Sequence, residues 1–173
     1  MTAAIENMLT RRSIRKYKQD PIPEEILNQI LVAGTYAPTG MNKQAPIIIA
    51  VTNQEVRDRL SKMNAAAMGT DSDPFYGAPV VVIVLANADV RTAVYDGSLV
   101  MGNLMLAAHE LGVSSCWIHR AKEMFASEEG KAILKDLGIE GNYEGVGNCI
   151  LGYADCPQPE ARPRKENYIY YIR

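Results

Sequence analysis

The sequence contains few of the residues that mark disulfide-rich and metal-binding proteins. Its 173 residues include three cysteines, an odd number, and no CxxC pair, which argues against a disulfide framework and against a zinc ribbon. The two histidines, His109 and His119, match no metal-binding spacing such as HExxH. We therefore expect no protein-built metal site.

Long apolar runs and an excess of one charge are also missing. The longest apolar run near a predicted strand, Pro79 to Ala86, is far shorter than the ~20 residues that span a bilayer, and the N-terminus is charged where a secretory signal would be apolar. With 18 Lys+Arg against 20 Asp+Glu, one Trp and two Phe, the chain offers no overall basic field and few rings for stacking on bases. We predict a soluble, cytoplasmic protein that binds neither nucleic acid nor membranes.

What the sequence does contain is the composition of one globular domain, with 47% hydrophobic residues and alternating helix and strand patterns. We predict an α+β fold in which a mixed central β-sheet is flanked by helices, with residues 1–173 forming a single domain. Residues 90–111 are expected to form a central buried helix because they are apolar around much of their circumference, and residues 122–137 predict one further helix. The apolar segment Tyr168 to Ile172 is unusual for a free terminus, so we expect it to dock on its own domain or on a partner chain.

Basic residues are concentrated in two short segments, one near each end of the chain. Together these segments hold eight of the 18 basic residues: Arg11, Arg12, Arg15, Lys16, Lys18, Arg162, Arg164 and Lys165. Guanidinium groups match the geometry of phosphate, and Ser13 adds a hydroxyl donor, so the segments are candidates for an anion site. A solvated basic turn is the alternative, since charge runs usually lie at the surface.

A second candidate is the loop Ala37–Pro46, which lies between a predicted helix and a predicted strand. Its turn residues are sufficient to explain an ordinary loop. Asn42 and Gln44, however, each carry an amide with a donor and an acceptor, which are the groups needed to read the polar edge of a planar heterocycle.

Taken in order along the chain, these segments resemble the FMN-dependent nitroreductase family, and specifically its short branch without long helical insertions. The likeness rests on residues 11–17, 23–27, 37–44, 76–82, 103–108, 111–112, 116–118, 151–154 and 162–165. The resemblance implies a nitroreductase-like fold and an intertwined homodimer with FMN in two interface sites. It also implies that the C-terminal tail, about residues 160–173, docks on the partner subunit.

The resemblance further implies an enzyme. NADH or NADPH would reduce FMN, and FMN would then pass hydride to a nitroaromatic, a quinone or a similar small-molecule electron acceptor in a ping-pong reaction. A non-catalytic flavin- or nucleotide-binding module, such as a sensor or storage protein, is the alternative. Because the cofactor carries the bond chemistry, we nominate no catalytic side chain.

Residue roles follow from the resemblance position by position. The cofactor-binding residues that it implies are Arg11, Arg12, Ser13, Arg15, Pro38, Thr39, Asn42, Gln44, Trp117, His119, Arg162 and Arg164. The early arginines and the serine would hold the phosphate and ribityl chain together with the late arginine pair. Arg15 would lie near the N1 and O2 edge of the flavin, and the segment from Pro38 to Gln44 would reach the flavin from the other subunit.

The loop after Trp117 is the point at which this chain departs from the family. In the family this loop brings a backbone N–H to flavin N5, so His119 or Arg120 would line that face. The family often carries glycine after the Trp-Ile pair, whereas here two bulky residues follow. They would narrow the pocket or bind an anionic substrate; an exposed loop pair without a role is the alternative.

Overall fold

In a computed structural model that describes residues 1–173, six helices and four strands alternate along the chain. The helices are α1 (Ala3–Thr10), α2 (Glu24–Thr35), α3 (Gln54–Met68), α4 (Ala93–Glu110), α5 (Ala121–Ala126) and α6 (Glu128–Asp136). The strands are β1 (Pro46–Val51), β2 (Val80–Asn87), β3 (Ser114–Ile118) and β4 (Tyr143–Gly152). This arrangement confirms the predicted α+β class. No helix combines the length and the hydropathy needed to cross a bilayer.

The four strands form one sheet in the order β1-β2-β4-β3, and each neighbouring pair is antiparallel. The predicted mixed character of the sheet comes from one isolated parallel bridge, between Ser13 and Ser115 of β3. A second isolated bridge, which is antiparallel, joins Tyr17 to Ala154 just beyond β4. These two bridges hold the first basic segment beside β3 and the end of β4.

Helices cover both faces of the sheet because β2 sends apolar side chains to each face. Val82 and Val84 join a cluster with α2 and α4, whereas Val81 and Ile83 join a cluster with α3, α5 and α6. All residues of β2 from Val80 to Ala86 are buried. This is the environment expected of a strand that reads as a continuous β-branched run.

Helix α4 is not fully buried, and the prediction of a central buried helix is wrong for the single chain. Met101 and Leu104 are fully buried, whereas Val94, Tyr95 and Leu99 are 47%, 74% and 48% exposed. The helix is apolar around much of its circumference, but the chain covers only the side that faces the sheet and α2. A contiguous exposed apolar surface of this kind is typical of an interface.

The predicted helix over residues 122–137 is in fact two helices, α5 and α6. Ser127 separates them in an extended conformation (φ −71°, ψ 159°), and its hydroxyl accepts a hydrogen bond from the Gly130 N–H at the start of α6. Serine is a favoured N-cap, so it begins the second helix. A side chain at Gly130 would collide with the Met124 carbonyl, which explains why glycine stands at this close contact.

The apolar end of the C-terminal tail, Tyr168 to Ile172, does not pack on its own domain. Residues 161–173 are exposed and form no helix or strand, and Tyr170 and Ile172 are among the most exposed apolar residues of the chain. One of the two predicted docking surfaces is therefore excluded. Docking of the tail on a partner subunit stays a prediction.

Candidate functional site

The first basic segment and the segment after β4 are joined by backbone hydrogen bonds. The Lys18 N–H donates to the Tyr153 carbonyl (2.9 Å), and the Asp155 N–H donates to the Lys16 carbonyl (3.0 Å). An ion pair of 3.0 Å between the Lys16 and Asp155 side chains reinforces the junction. The two basic segments, distant in the sequence, are thereby brought to the same side of the molecule.

A cleft of about 690 Å³ at this junction, called the basic cleft below, is lined by residues from both segments. The predicted site residues on its surface are Arg11, Arg12, Ser13, Arg162 and Arg164. Four guanidinium groups and a hydroxyl around one cleft create an electropositive site for an anion. The structure brings these five residues together; their role in binding a cofactor stays a prediction.

Two buried N–H groups at the basic cleft have no hydrogen-bond partner, namely those of Arg11 Nη1 and Arg12 Nε. Arg12 is held in place by its Nη1, which donates to the carbonyls of Leu9 (2.7 Å) and Arg11 (2.8 Å). Roughly 90% of buried polar groups are paired, and leaving a donor unpaired costs about 1–3 kcal/mol. The unpaired donors therefore fit a phosphate-bearing ligand, whose oxygens would accept hydrogen bonds from them.

A smaller cavity of about 160 Å³, called the inner cavity below, shares Arg11 and Arg12 with the basic cleft. His109, Ser115 and Cys156 also line it. The Ser115 hydroxyl is buried and has no partner. Sequence analysis missed His109 and Ser115 as site residues because no motif marks them; the packing of the end of α4 and the start of β3 against the first basic segment brings them there.

The hydrogen bonds around His109 define the tautomer of its neutral form. Its Nε2 lies 2.9 Å from Thr10 Oγ1, and the Thr10 hydroxyl donates its only proton to the Glu6 carbonyl (2.8 Å). Thr10 therefore accepts from the Nε2–H, which leaves Nδ1 as the unprotonated ring nitrogen. Burial and the positive charge of Arg11 lower the pKa of His109, and Glu110 opposes this effect.

The exposed Arg15 lies between two buried residues of the same segment. Ile14 and Tyr17 are 4% and 6% exposed, whereas Arg15 is exposed. The Tyr17 hydroxyl donates to the Ile14 carbonyl (2.6 Å), and burial raises the pKa of Tyr17 far above its usual range, so the phenol stays neutral. The segment is thus anchored by its apolar residues and offers the Arg15 cation outward.

The loop that contains Pro38, Thr39, Asn42 and Gln44 is held to the start of α4 by one buried carboxylate. Asp96, 3% exposed, accepts hydrogen bonds from the Gly40 N–H (3.0 Å) and from the Thr92 hydroxyl (2.9 Å). A Cβ at Gly40 would lie 2.5 Å from Thr92 Oγ1, so only glycine fits there. Three loop residues have left-handed backbone, with φ of 52°, 54° and 49° at Met41, Asn42 and Gln44.

The structure does not bring this loop to the basic cleft of the same chain. The loop contacts α4 at Asp96, whereas α1 and the first basic segment meet α4 at His109. These positions are thirteen residues apart on one helix, which corresponds to about 20 Å at 1.5 Å per residue. The arrangement is compatible with the expectation that the loop serves a different subunit, which stays a prediction.

The turn after β3 keeps a glycine-type backbone although its residues are bulky. Arg120 has φ 73°, the left-handed conformation that glycine adopts most readily. His119 is exposed, and its carbonyl accepts hydrogen bonds from the side chains of Asn64 (2.7 Å) and Asn148 (3.3 Å). The half-buried Trp117 precedes the turn. The left-handed residue is Arg120, whereas the position directly after the Trp-Ile pair is His119. The role of this bulky pair stays a prediction.

The α+β domain carries a cleft between its two ends that is lined by four arginines, a residue type suited to anions. Comparison with known proteins defines the class of the protein. The Nitroreductase family model matches residues 8–153. The chain therefore belongs to the nitroreductase family, which confirms the resemblance seen in the sequence.

Individual relatives agree with this assignment. A putative NADH dehydrogenase/NAD(P)H nitroreductase of Archaeoglobus fulgidus is 32% identical over 88% of this chain and 86% of its own length. A protein of the same description from Methanothermobacter thermautotrophicus is 33% identical over 65% of this chain, and the match spans 59% of that relative. The structure of a nitroreductase with bound FMN from Bacteroides fragilis superposes with a TM-score of 0.91 and 29% identity over the whole of both chains.

Proposed function

We propose that this protein is an FMN-dependent NAD(P)H oxidoreductase that reduces nitroaromatics, quinones or similar small electrophiles by ping-pong hydride transfer. The observation that carries the proposal is the basic cleft, where buried N–H groups of Arg11 and Arg12 have no partner within the chain. The FMN-bound nitroreductase of Bacteroides fragilis, which matches the fold over its full length, supports FMN as the ligand.

The phosphate of FMN would be held by residues from both ends of the chain. Arg11 and Arg12 would supply charge-assisted hydrogen bonds from buried nitrogens, and Ser13 would add its hydroxyl. Arg162 and Arg164 would complete the clamp from the other side of the cleft. Because these two late arginines are exposed, each should contribute less than its buried counterpart.

When bound, FMN would supply the hydride chemistry, taking two electrons from NADH or NADPH and giving them to the acceptor. The residues of the chain act through position and charge. The exposed cation of Arg15 would stabilise the negative charge that develops at the N1 and O2 edge of the flavin, and so favour hydride acceptance. The basic cleft is bordered by exposed residues, so solvent can supply the proton that the acceptor needs.

The functional unit would be a homodimer with one site at each interface. The loop from Pro38 to Gln44 is too far from the basic cleft of its own chain, but its exposed groups can reach the cleft of a second copy. Apolar side chains for such an interface are exposed on α1, on α4 and on the tail: Ile5, Met8, Leu9, Val94, Tyr95, Leu99, Tyr168, Ile169, Tyr170, Tyr171 and Ile172. The tail would dock on this partner.

A visible absorption spectrum tests the proposed function. The purified protein should be yellow, or should bind added FMN in a fluorescence titration, and anaerobic NADH or NADPH should bleach it. Addition of a nitroaromatic or a quinone should then restore the colour. A protein that does not bind FMN would contradict the proposal. A protein that binds FMN but is reduced by neither nucleotide would be a non-catalytic flavin-binding module.

A further inference from the structure

Three of the residues that line the inner cavity carry a buried polar group without a partner in the chain. They are Arg11 and Arg12, which also line the basic cleft, and Ser115, which is 2% exposed and whose hydroxyl is unpaired. No acidic side chain lines the cavity. Its volume of about 160 Å³, set against roughly 30 Å³ for each water in the liquid, leaves room for one tetrahedral oxyanion.

His109 completes this lining with a nitrogen that can change its protonation state. Its Nε2–H is committed to Thr10, as the hydrogen bonds of the Thr10 hydroxyl require. The proton that converts the ring to imidazolium therefore goes to Nδ1. A protonated ring carries a full positive charge and two donors, whereas the neutral ring beside the arginines carries only one donor.

We propose that the inner cavity binds a phosphate-type oxyanion and that His109 is one of its ligands, taking up a proton from solvent at Nδ1 as the anion enters. This inference rests on the proposed function in one respect, because one source of the anion is the terminal phosphate of FMN, bound at Arg11 and Arg12, the two residues that the inner cavity shares with the basic cleft. A free oxyanion of the same chemistry is the other source. Cofactor binding would then depend on pH through a residue outside the phosphate clamp.

The charged groups that face His109 determine the sign of this dependence. Arg11 and Arg12 face it from the first basic segment, Glu110 from α4 itself, and Cys156 from the segment after β4. Burial and the arginines lower the pKa of His109 in the free protein. A bound dianion would offset the arginine charges and attract the imidazolium, so the pKa would be higher in the complex. For an anion whose charge does not change in this range, such as sulfate, affinity would be greatest below the free-state pKa and would fall as pH rises through the bound-state pKa.

Isothermal titration calorimetry of FMN into the apoprotein, in buffers of different ionisation enthalpy, tests the proposal. At about pH 7.5 a phosphate monoester is already a dianion, so net proton uptake reports on the protein. Uptake should vanish in His109→Gln, and FMN affinity at low pH should fall about tenfold, the equivalent of one pKa unit. Riboflavin, which has no phosphate, should bind without uptake. Glu110→Gln, an exposed change in the same helical turn, should keep the uptake.

Sulfate, a dianion throughout this pH range, is the free-oxyanion probe. If the protein takes up a proton when sulfate binds, and sulfate competes with FMN, the inner cavity binds the phosphate of the cofactor. If the protein takes up a proton and sulfate binds together with FMN, the inner cavity binds a free oxyanion. If FMN does not bind, the proposed function fails, and the sulfate titration still decides this inference. If His109→Gln does not fold, Ser115→Ala should weaken sulfate binding several-fold. The inference is overturned if neither FMN nor sulfate takes up a proton, or if uptake persists in folded His109→Gln.

Discussion

The two ends of helix α4 are built differently. At its C-terminal end, His109 lies against Thr10 and the arginine pair, in a region that isolated bridges and backbone hydrogen bonds tie to the sheet. At its N-terminal end, Asp96 holds an exposed and conformationally strained loop through the Gly40 N–H. The first end forms an enclosed, donor-rich site within one chain, whereas the second presents amide groups outward. In the proposed dimer, a single chain would therefore carry two different parts of a binding site, about 20 Å apart.

This difference has a physical basis in how each part is stabilised. Left-handed backbone at non-glycine residues costs of order 1–3 kcal/mol each and persists only where the surroundings enforce it. Met41, Asn42 and Gln44 all have this conformation, and the contact with Asp96 is a main restraint on their loop. At the arginine end, the free-energy cost lies instead in unpaired buried donors, which can form hydrogen bonds with a ligand.

The largest effect on FMN binding is expected when Arg11 and Arg12 are removed. The double change Arg11→Ala and Arg12→Ala removes two charge-assisted contacts worth roughly 1.5–3 kcal/mol each, so the Kd for FMN should rise at least about 100-fold. Fluorescence titration with FMN measures it. The matched control, Lys18→Ala with Lys135→Ala, removes the same charge from exposed side chains and should change the Kd by less than about threefold. Equal losses in the two variants would mean that only net charge matters.

The second-largest effect is expected when Asp96, the carboxylate that holds the loop from Pro38 to Gln44, is removed. Asp96→Ala leaves the Gly40 N–H and the Thr92 hydroxyl without their acceptor, so the free energy of unfolding should fall by about 1–3 kcal/mol. Urea denaturation measures this change. Turnover should fall more than FMN affinity, because the phosphate is held at the other end of the helix. Glu25→Ala, an exposed acid in the first turn of α2, is the control and should be close to neutral. A variant with normal stability would show that the loop is held by other contacts.

A smaller effect separates the late arginines from the early pair. Arg162→Ala with Arg164→Ala should raise the Kd for FMN by about tenfold, because exposed ionic contacts are worth roughly 1 kcal/mol or less each. Fluorescence titration with FMN measures the Kd of this variant as well. A loss as large as that of Arg11 and Arg12 would place the phosphate nearer the tail than the buried donors indicate, and an unchanged Kd would remove the late pair from the clamp.

The smallest effect concerns the turn after β3. Arg120→Gly should raise the free energy of unfolding by about 0.5–1 kcal/mol, because glycine adopts the left-handed conformation without the steric penalty. Lys122→Gly, two residues later in the first turn of α5, should lower it by about 0.5–1 kcal/mol. Thermal unfolding of the two variants measures the opposite shifts. Destabilisation by both changes would mean that the Arg120 side chain makes stabilising contacts that outweigh the backbone strain.

The sequence predicted the parts of this protein that depend on local pattern. The apolar run from Pro79 to Ala86 lay near a predicted strand, and its residues form most of β2 (Val80–Asn87), as their β-branched composition favours. The grouping of the two basic segments followed from family resemblance and is now seen as one cleft.

The parts that sequence reasoning missed depend on contacts between residues far apart. His109 meets Thr10 across 99 positions, and Asp96 meets Gly40 across 56, so neither role has a local signature. The break at Ser127 has a local signal that sequence analysis overlooked: a serine followed by Glu128 and Glu129 has the residue types of a helix start. The exposed face of α4 was missed because an apolar pattern does not distinguish burial within one chain from burial against another chain.

Mixed dimers test the central claim, that the two ends of α4 serve flavins on different copies. One chain would carry Arg11→Ala and Arg12→Ala, the other Asn42→Ala and Gln44→Ala, with different affinity tags so that only mixed dimers are isolated. A mixed dimer would have one site with both parts intact and one site with neither, so NADH oxidation should recover to about half of the unmodified activity, although each parent is nearly inactive. Mixed dimers as inactive as the parents would contradict the account, because each site would then draw both parts from a single chain.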